Sequence, residues 1–84
     1  MMKIFYFAWL RTKIGVPSET VDLPAEVKTV GALVDWLKTR SPKHAEALAN
    51  SKVVKVAVNQ EHVPYDHPIE PGDEVALFPP VTGG

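Results

Sequence analysis

Cysteine is absent from this chain of 84 residues. That excludes disulfide staples, cysteine-based metal sites and a side-chain thiol as a carrying group. An excess of one charge is lacking too, with nine Lys and Arg against ten Asp and Glu and a formal net charge of −1. Such a balance gives no reason to expect nucleic acid or a membrane as the main partner. No hydrophobic run approaches the roughly 20 residues that cross a bilayer. The longest, Ile4-Phe5-Tyr6-Phe7-Ala8-Trp9-Leu10, is cut off by Arg11 and followed by no small-x-small cleavage site. A core strand explains it better than a signal peptide, and the cytoplasm is the expected compartment. Also missing are G-x-S-x-G, P-loop and dinucleotide fingerprints, so independent catalysis lacks a nucleophile, a base and a cofactor site.

What is present fits one small domain, residues 1–78, with a tail at 79–84. Ile4 to Leu10 reads as a strand that is apolar in both phases, with Ile4, Tyr6, Ala8 and Leu10 on one face and Phe5, Phe7 and Trp9 on the other. A chain this short covers only one face of its sheet, so the second apolar face suggests a surface for a partner. Arg11 to Ser18 reads as a turn with room for a helical fragment, and Glu19 to Leu23 as a second strand that Pro24 ends. Thr29 caps a helix from Val30 to about Arg40, with Val30, Leu33, Val34 and Leu37 in one stripe. Ser41-Pro42 opens a short second helix, expected to pack through Ala45, Leu48 and Ala49. Val53 to Val58, a short piece at His62-Val63, and Glu74 to Phe78 complete the strands.

This order, strand, strand, helix, short helix, strand, short strand, strand, matches an α+β β-grasp, the ubiquitin-like architecture. It predicts a mixed sheet of four to five strands with one main helix and a short second helix on one face. The first and last strands would lie side by side at the centre, bringing Phe7 and Phe78 to one exposed face near the tail. The three histidines have no ligand at i+4 and no cysteine nearby, so they are expected at the surface rather than on a metal. Glu70, Asp73 and Glu74 are expected near the root of the tail, as a solvated turn or a docking patch for a basic partner.

The tail itself, Pro79-Pro80-Val81-Thr82-Gly83-Gly84, carries no charged side chain. Two prolines stiffen its root toward a polyproline II path, and the two glycines leave its tip thin. It could enter a narrow channel in another protein. With no cysteine available, any cargo rides on the α-carboxylate of Gly84. Adenylation would convert that carboxylate to a mixed anhydride open to a sulfur nucleophile, and glycine has no Cβ to block the approach.

At Phe78-Pro79-Pro80-Val81-Thr82-Gly83-Gly84 the sequence closely resembles the small subunit of molybdopterin synthase, the MoaD family. Phe7-Ala8 with Arg11, Val58-Asn59-Gln60, Asp66-His67-Pro68 and Gly72-Asp73-Glu74-Val75-Ala76 extend the resemblance along the chain. The resemblance implies a non-catalytic sulfur carrier that binds no cofactor of its own. An adenylyltransferase resembling ubiquitin-activating enzymes would use ATP to activate Gly84, which then becomes a thiocarboxylate. Pro79 to Gly83 would insert into the large synthase subunit, where sulfur passes to cyclic pyranopterin monophosphate within a heterotetramer. Phe7, Arg11 and Phe78 would form the partner interface. Sulfur carriers for thiamin or tRNA thiolation share the fold and the Gly-Gly end, although the Phe-Pro-Pro-Val tail favours the molybdopterin pathway. From another class, a ubiquitin-like binding module with an unactivated terminus, or a modifier joined to lysines, also fits.

Overall fold

The alternation Met2-Lys3-Ile4-Phe5-Tyr6 becomes strand β1 (Met2–Tyr6), which buries Met2, Ile4 and Tyr6 on one face. The computed structural model describes residues 1–49 and 53–80. Strand β1 ends at Tyr6, four residues before the sequence pattern suggests, because Ala8 takes φ 56° and ψ −135° and turns the chain. Helix α1 (Trp9–Ile14) follows, so Trp9 and Leu10 are helical rather than extended. Leu10 and Ile14, at i and i+4, point into the core. Gly15 closes α1 at φ 97°, its N–H donating to the Arg11 carbonyl at 2.8 Å, a left-handed cap that glycine adopts without steric cost.

Strand β2 (Ser18–Val21) returns antiparallel to β1, with Ile4 opposite Glu19. Helix α2 (Val30–Lys38) starts where expected, the Thr29 hydroxyl accepting the Ala32 N–H at 3.2 Å. Its stripe Val30, Leu33, Val34 and Leu37 is fully buried. Trp36 is partly buried beside it, with the Arg40 guanidinium 5.1 Å from its ring centroid. Helix α3 (Pro42–Ala47) is capped by Ser41 and has Pro42 in its first turn. It packs through His44, Ala47 and Leu48, one position out of register with the expected Ala45, Leu48 and Ala49. The pairing of His44 with Glu19 on β2, described below, accounts for that register.

Strands β3 (Lys55–Val58) and β4 (Glu61–His62) form a hairpin closed by Asn59 and Gln60, both at positive φ as such two-residue turns require. The Asn59 side chain holds that turn to the start of β5 (Glu74–Phe78), accepting the Glu74 N–H at 3.0 Å and donating to Asp73 Oδ1 at 3.1 Å.

Among the described residues the five strands form one sheet in the order β2-β1-β5-β3-β4, with β1 and β5 parallel at its centre. Parallel neighbours need a crossover, and α2, α3 and the β3–β4 hairpin supply it. Buried side chains of all three helices join Ile4, Val56, Val75 and Leu77 in one cluster, so the helices share one face of the sheet. The α+β β-grasp reading holds, with a third helix added at α1.

Candidate functional site

Because β1 and β5 run parallel, both end at the same pole of the sheet. The Phe7 N–H continues their ladder, donating to the Leu77 carbonyl at 3.1 Å. Phe7 thus lies against the residue that precedes Phe78, and 50% of its surface is exposed. Phe78, the last residue of β5, is half-buried, with the His62 ring 5.1 Å away between centroids. Pro79 and Pro80 leave the sheet here, also half-buried. Arg11 stands exposed on α1. Val81, Thr82, Gly83 and Gly84 lie outside the described residues.

The face of the sheet away from the helices carries Phe5, opposite Ala76 in register, and Phe78. The Lys3 ammonium sits 5.2 Å from the Phe5 ring centroid and shields part of it. An apolar strip bordered by Lys3, Lys55 and His62 therefore runs to the pole where the tail departs.

Phe7, Trp9 and Val16 are three of the four large hydrophobic side chains left exposed among the described residues. All three fall in the connection between β1 and β2, whose ends are tied by the Tyr6 N–H donating to the Pro17 carbonyl at 2.9 Å. Ala8, between Phe7 and Trp9, occupies a backbone region that costs a residue with a Cβ roughly 1–3 kcal/mol.

The acidic cluster lies elsewhere. Glu70, Asp73 and Glu74 stand at the beginning of β5, roughly 13 Å along the strand from Phe78. The expectation that they flank the tail is therefore corrected. Asp73 accepts the Glu70 N–H at 2.8 Å, and Gly72 at φ 93° makes the turn between them possible. The cluster shapes the entry to β5. A groove of about 510 Å3 opens at the same distant pole, lined by Met1, Leu23, Val27, Pro68 and Ile69 among others.

One buried constellation has no counterpart in the sequence pattern. His44, expected at the surface, is only 7% exposed. Its Nε2 lies 2.6 Å from Glu19 Oε2, and its Nδ1 2.7 Å from Ser41 Oγ. The carboxylate can only accept, so Nε2 carries a proton. The Tyr6 hydroxyl donates to the same Oε2 at 2.6 Å, and Arg40 reaches Oε1 at 3.4 Å. Twenty-five positions separate Glu19 from His44, and no periodic signal reports such a pairing. The order Ser–His–Glu resembles a hydrolytic triad, but the Ser41 hydroxyl is engaged as the α3 cap, accepting the His44 N–H at 3.2 Å. The groove at Met1 does not reach it either. The constellation is a polar clamp that holds α3 against β1 and β2.

Burial pushes the Glu19 carboxyl up, but hydrogen bonds from His44 and Tyr6, then the charges of His44 and Arg40, outweigh it and leave it below its ordinary range. Burial first, then the hydrogen bond to Glu19 and its charge, raise the Tyr6 hydroxyl far above the phenol range. Tyr6 therefore remains a donor at any working pH. The lowered Glu19 value fixes the sign of a pH effect: its stabilisation is fully present above the ordinary glutamate value of 4.5 and is lost as pH falls through the lower folded value. Urea midpoints measured through the acid range should fall below that value, and Glu19→Gln should flatten the decline. An equally steep decline in Glu19→Gln would assign the acid sensitivity to other carboxylates.

A mixed sheet whose central strand feeds a tail beside an apolar face places the chain among the ubiquitin-like β-grasp proteins. The sequence profile of the ThiS family matches residues 4–84, and the chain belongs to that family. It is 43% identical over 84 residues to the molybdopterin synthase sulfur carrier subunit of Escherichia coli, covering 100% of each chain. The human protein of the same description is 36% identical over 88 residues, covering 99% of this chain and 93% of that one. Among solved structures, small archaeal modifier protein 1 of H. volcanii superposes with a TM-score of 0.73 at 32% identity, covering 95% of this chain and 97% of that one. No helix among the described residues is long and apolar enough to cross a membrane.

Proposed function

We propose that this chain is the sulfur carrier subunit of a molybdopterin synthase and acts in molybdenum cofactor biosynthesis. The observation that carries this reading is the end-to-end match to the E. coli sulfur carrier subunit, which runs through the Gly-Gly terminus. The chain supplies no catalytic group; it supplies a carboxylate on a stiff, uncharged tether. An adenylyltransferase lets the Gly84 carboxylate attack the α-phosphorus of ATP, which expels pyrophosphate and leaves an acyl adenylate. The terminal sulfur of a donor persulfide then attacks the carbonyl, AMP departs, and a thiol reduces the S–S bond of the resulting acyl disulfide, leaving the thiocarboxylate and a disulfide on the donor. The tail delivers this sulfur to cyclic pyranopterin monophosphate inside the large subunit.

The test is intact mass after incubation with ATP, a sulfur donor and the cognate adenylyltransferase. A gain equal to exchanging one oxygen for sulfur is expected. No gain, with an enzyme active on another carrier, would leave a binding module as the better reading. The likeness to a small archaeal modifier favours one second reading, a modifier conjugated to lysines. That reading requires isopeptide adducts of the tagged chain in cell extracts, and the carrier reading requires none.

Docking should depend on Phe78, which ends the central strand and is braced by His62. Phe78→Ala should weaken binding to the large subunit by roughly 2 kcal/mol or more, as for an aromatic hot spot. Unchanged affinity in calorimetry would remove Phe78 from the interface.

A further inference from the structure

We propose that the β1–β2 connection is a preformed aromatic docking element for the large subunit, in which Trp9 anchors alongside Phe7. The proposal rests on the carrier reading for the identity of its partner. Trp9 is the first residue of α1 and 40% exposed, unlike Leu10 and Ile14 on the same helix, which are buried. Scattered surface hydrophobics need no explanation, but here Phe7, Trp9 and Val16 are gathered in the single connection between Tyr6 and Ser18.

Position decides the occupant. The Phe7 N–H is bonded to the Leu77 carbonyl, so this connection begins beside the residue before Phe78 and the departing prolines. A protein that takes in the tail as far as Pro79 lies over the same pole and meets the connection. On the carrier reading the large subunit takes in that tail, which makes it the occupant of the adjoining connection. Charge narrows the chemistry further. Lys13 is already matched by Glu46 at 3.3 Å, whereas Arg11 is exposed and has no ion-pair partner among the described residues. The fitting surface is an apolar recess with a carboxylate at its edge, facing Arg11.

The turn that carries Trp9 is fixed by its surroundings rather than by alanine itself. The Ala8 backbone sits at φ 56° and ψ −135°, held from one side by the Phe7–Leu77 and Tyr6–Pro17 hydrogen bonds and from the other by the first turn of α1. Trp9 is a specificity contact.

The experiment is calorimetric titration of the full-length chain into the purified large subunit, with the thermal midpoint of each variant recorded alongside. Trp9→Ala and Trp9→Gln should weaken binding roughly tenfold or more, with Trp9→Phe recovering much of the loss. Wild-type affinity in both Trp9→Ala and Trp9→Gln overturns the contact. Loss of affinity that tracks thermal midpoint, with no recovery in Trp9→Phe, makes Trp9 structural and also overturns the contact. Sulfur loading of the wild-type chain, read by mass, reports separately on the carrier reading, so the two can fail independently.

Discussion

Deletion of Gly84 is expected to abolish sulfur loading outright while leaving the thermal midpoint unchanged. The variant still ends in a glycine carboxylate, so the result depends on reach rather than on the chemistry of the group. Removing one residue retracts that carboxylate by about 3.5 Å. Reacting atoms have to meet within roughly 3–3.5 Å, and a misplacement of about 1 Å alone can cost on the order of a hundredfold. The stability of the β-grasp should not change, because the core cluster is complete by Leu77. Intact mass with the activating enzyme checks the first half, and thermal unfolding the second. Full loading of the shortened chain would sink the proposal that Gly84 is the carrying residue. Intact partner function without loading would instead support a binding module.

The largest expected effect on stability comes from Glu19. Glu19→Ala removes the acceptor shared by the Tyr6 hydroxyl and His44 Nε2, in residues only 1% and 7% exposed. A buried donor left without a partner costs about 1–3 kcal/mol. With two such donors, and some access for water through the Glu19 vacancy, a loss of about 3 kcal/mol is expected from urea unfolding at neutral pH. Glu19→Gln should lose less than half as much. The amide oxygen can still accept one bond, and His44 can shift its proton to Nδ1 and donate to Ser41. A loss below about 1 kcal/mol in Glu19→Ala would show that the clamp adds little beyond apolar packing. Because α3 meets α1 through Lys13 and Glu46, loosening the clamp should also blunt docking through Trp9 and Phe7.

Local pattern was enough for most elements. The stripe Val30, Leu33, Val34 and Leu37, the caps Thr29 and Ser41, and the period-two runs ending in Phe78 each report on neighbours within one turn or one strand. The reach of β1 was misread because Ala8, Trp9 and Leu10 extend its alternation without a break. Only the strained φ of Ala8 shows where the helix starts, and alanine carries no signal for it. The acidic cluster was misplaced for a related reason. Glu74 and Phe78 are near in sequence but stand at opposite ends of an extended strand. Likewise, reading α3 through Ala45 rather than His44 follows from treating histidine as a surface residue when its partner on β2 is unknown.

By itself the sequence determined that this is a cysteine-free α+β chain with a stripe helix, a closing strand and an uncharged tail ending in Gly-Gly. Those properties depend on residue chemistry and short periods. Tertiary structure alone decided that β1 and β5 lie parallel, which sets Phe7 beside the root of the tail. It also decided that Tyr6, Glu19, Ser41 and His44 meet, and that three exposed hydrophobics gather between β1 and β2. Each of these depends on contacts between distant segments, and such contacts form only when burying the whole core outweighs the entropy of ordering the chain.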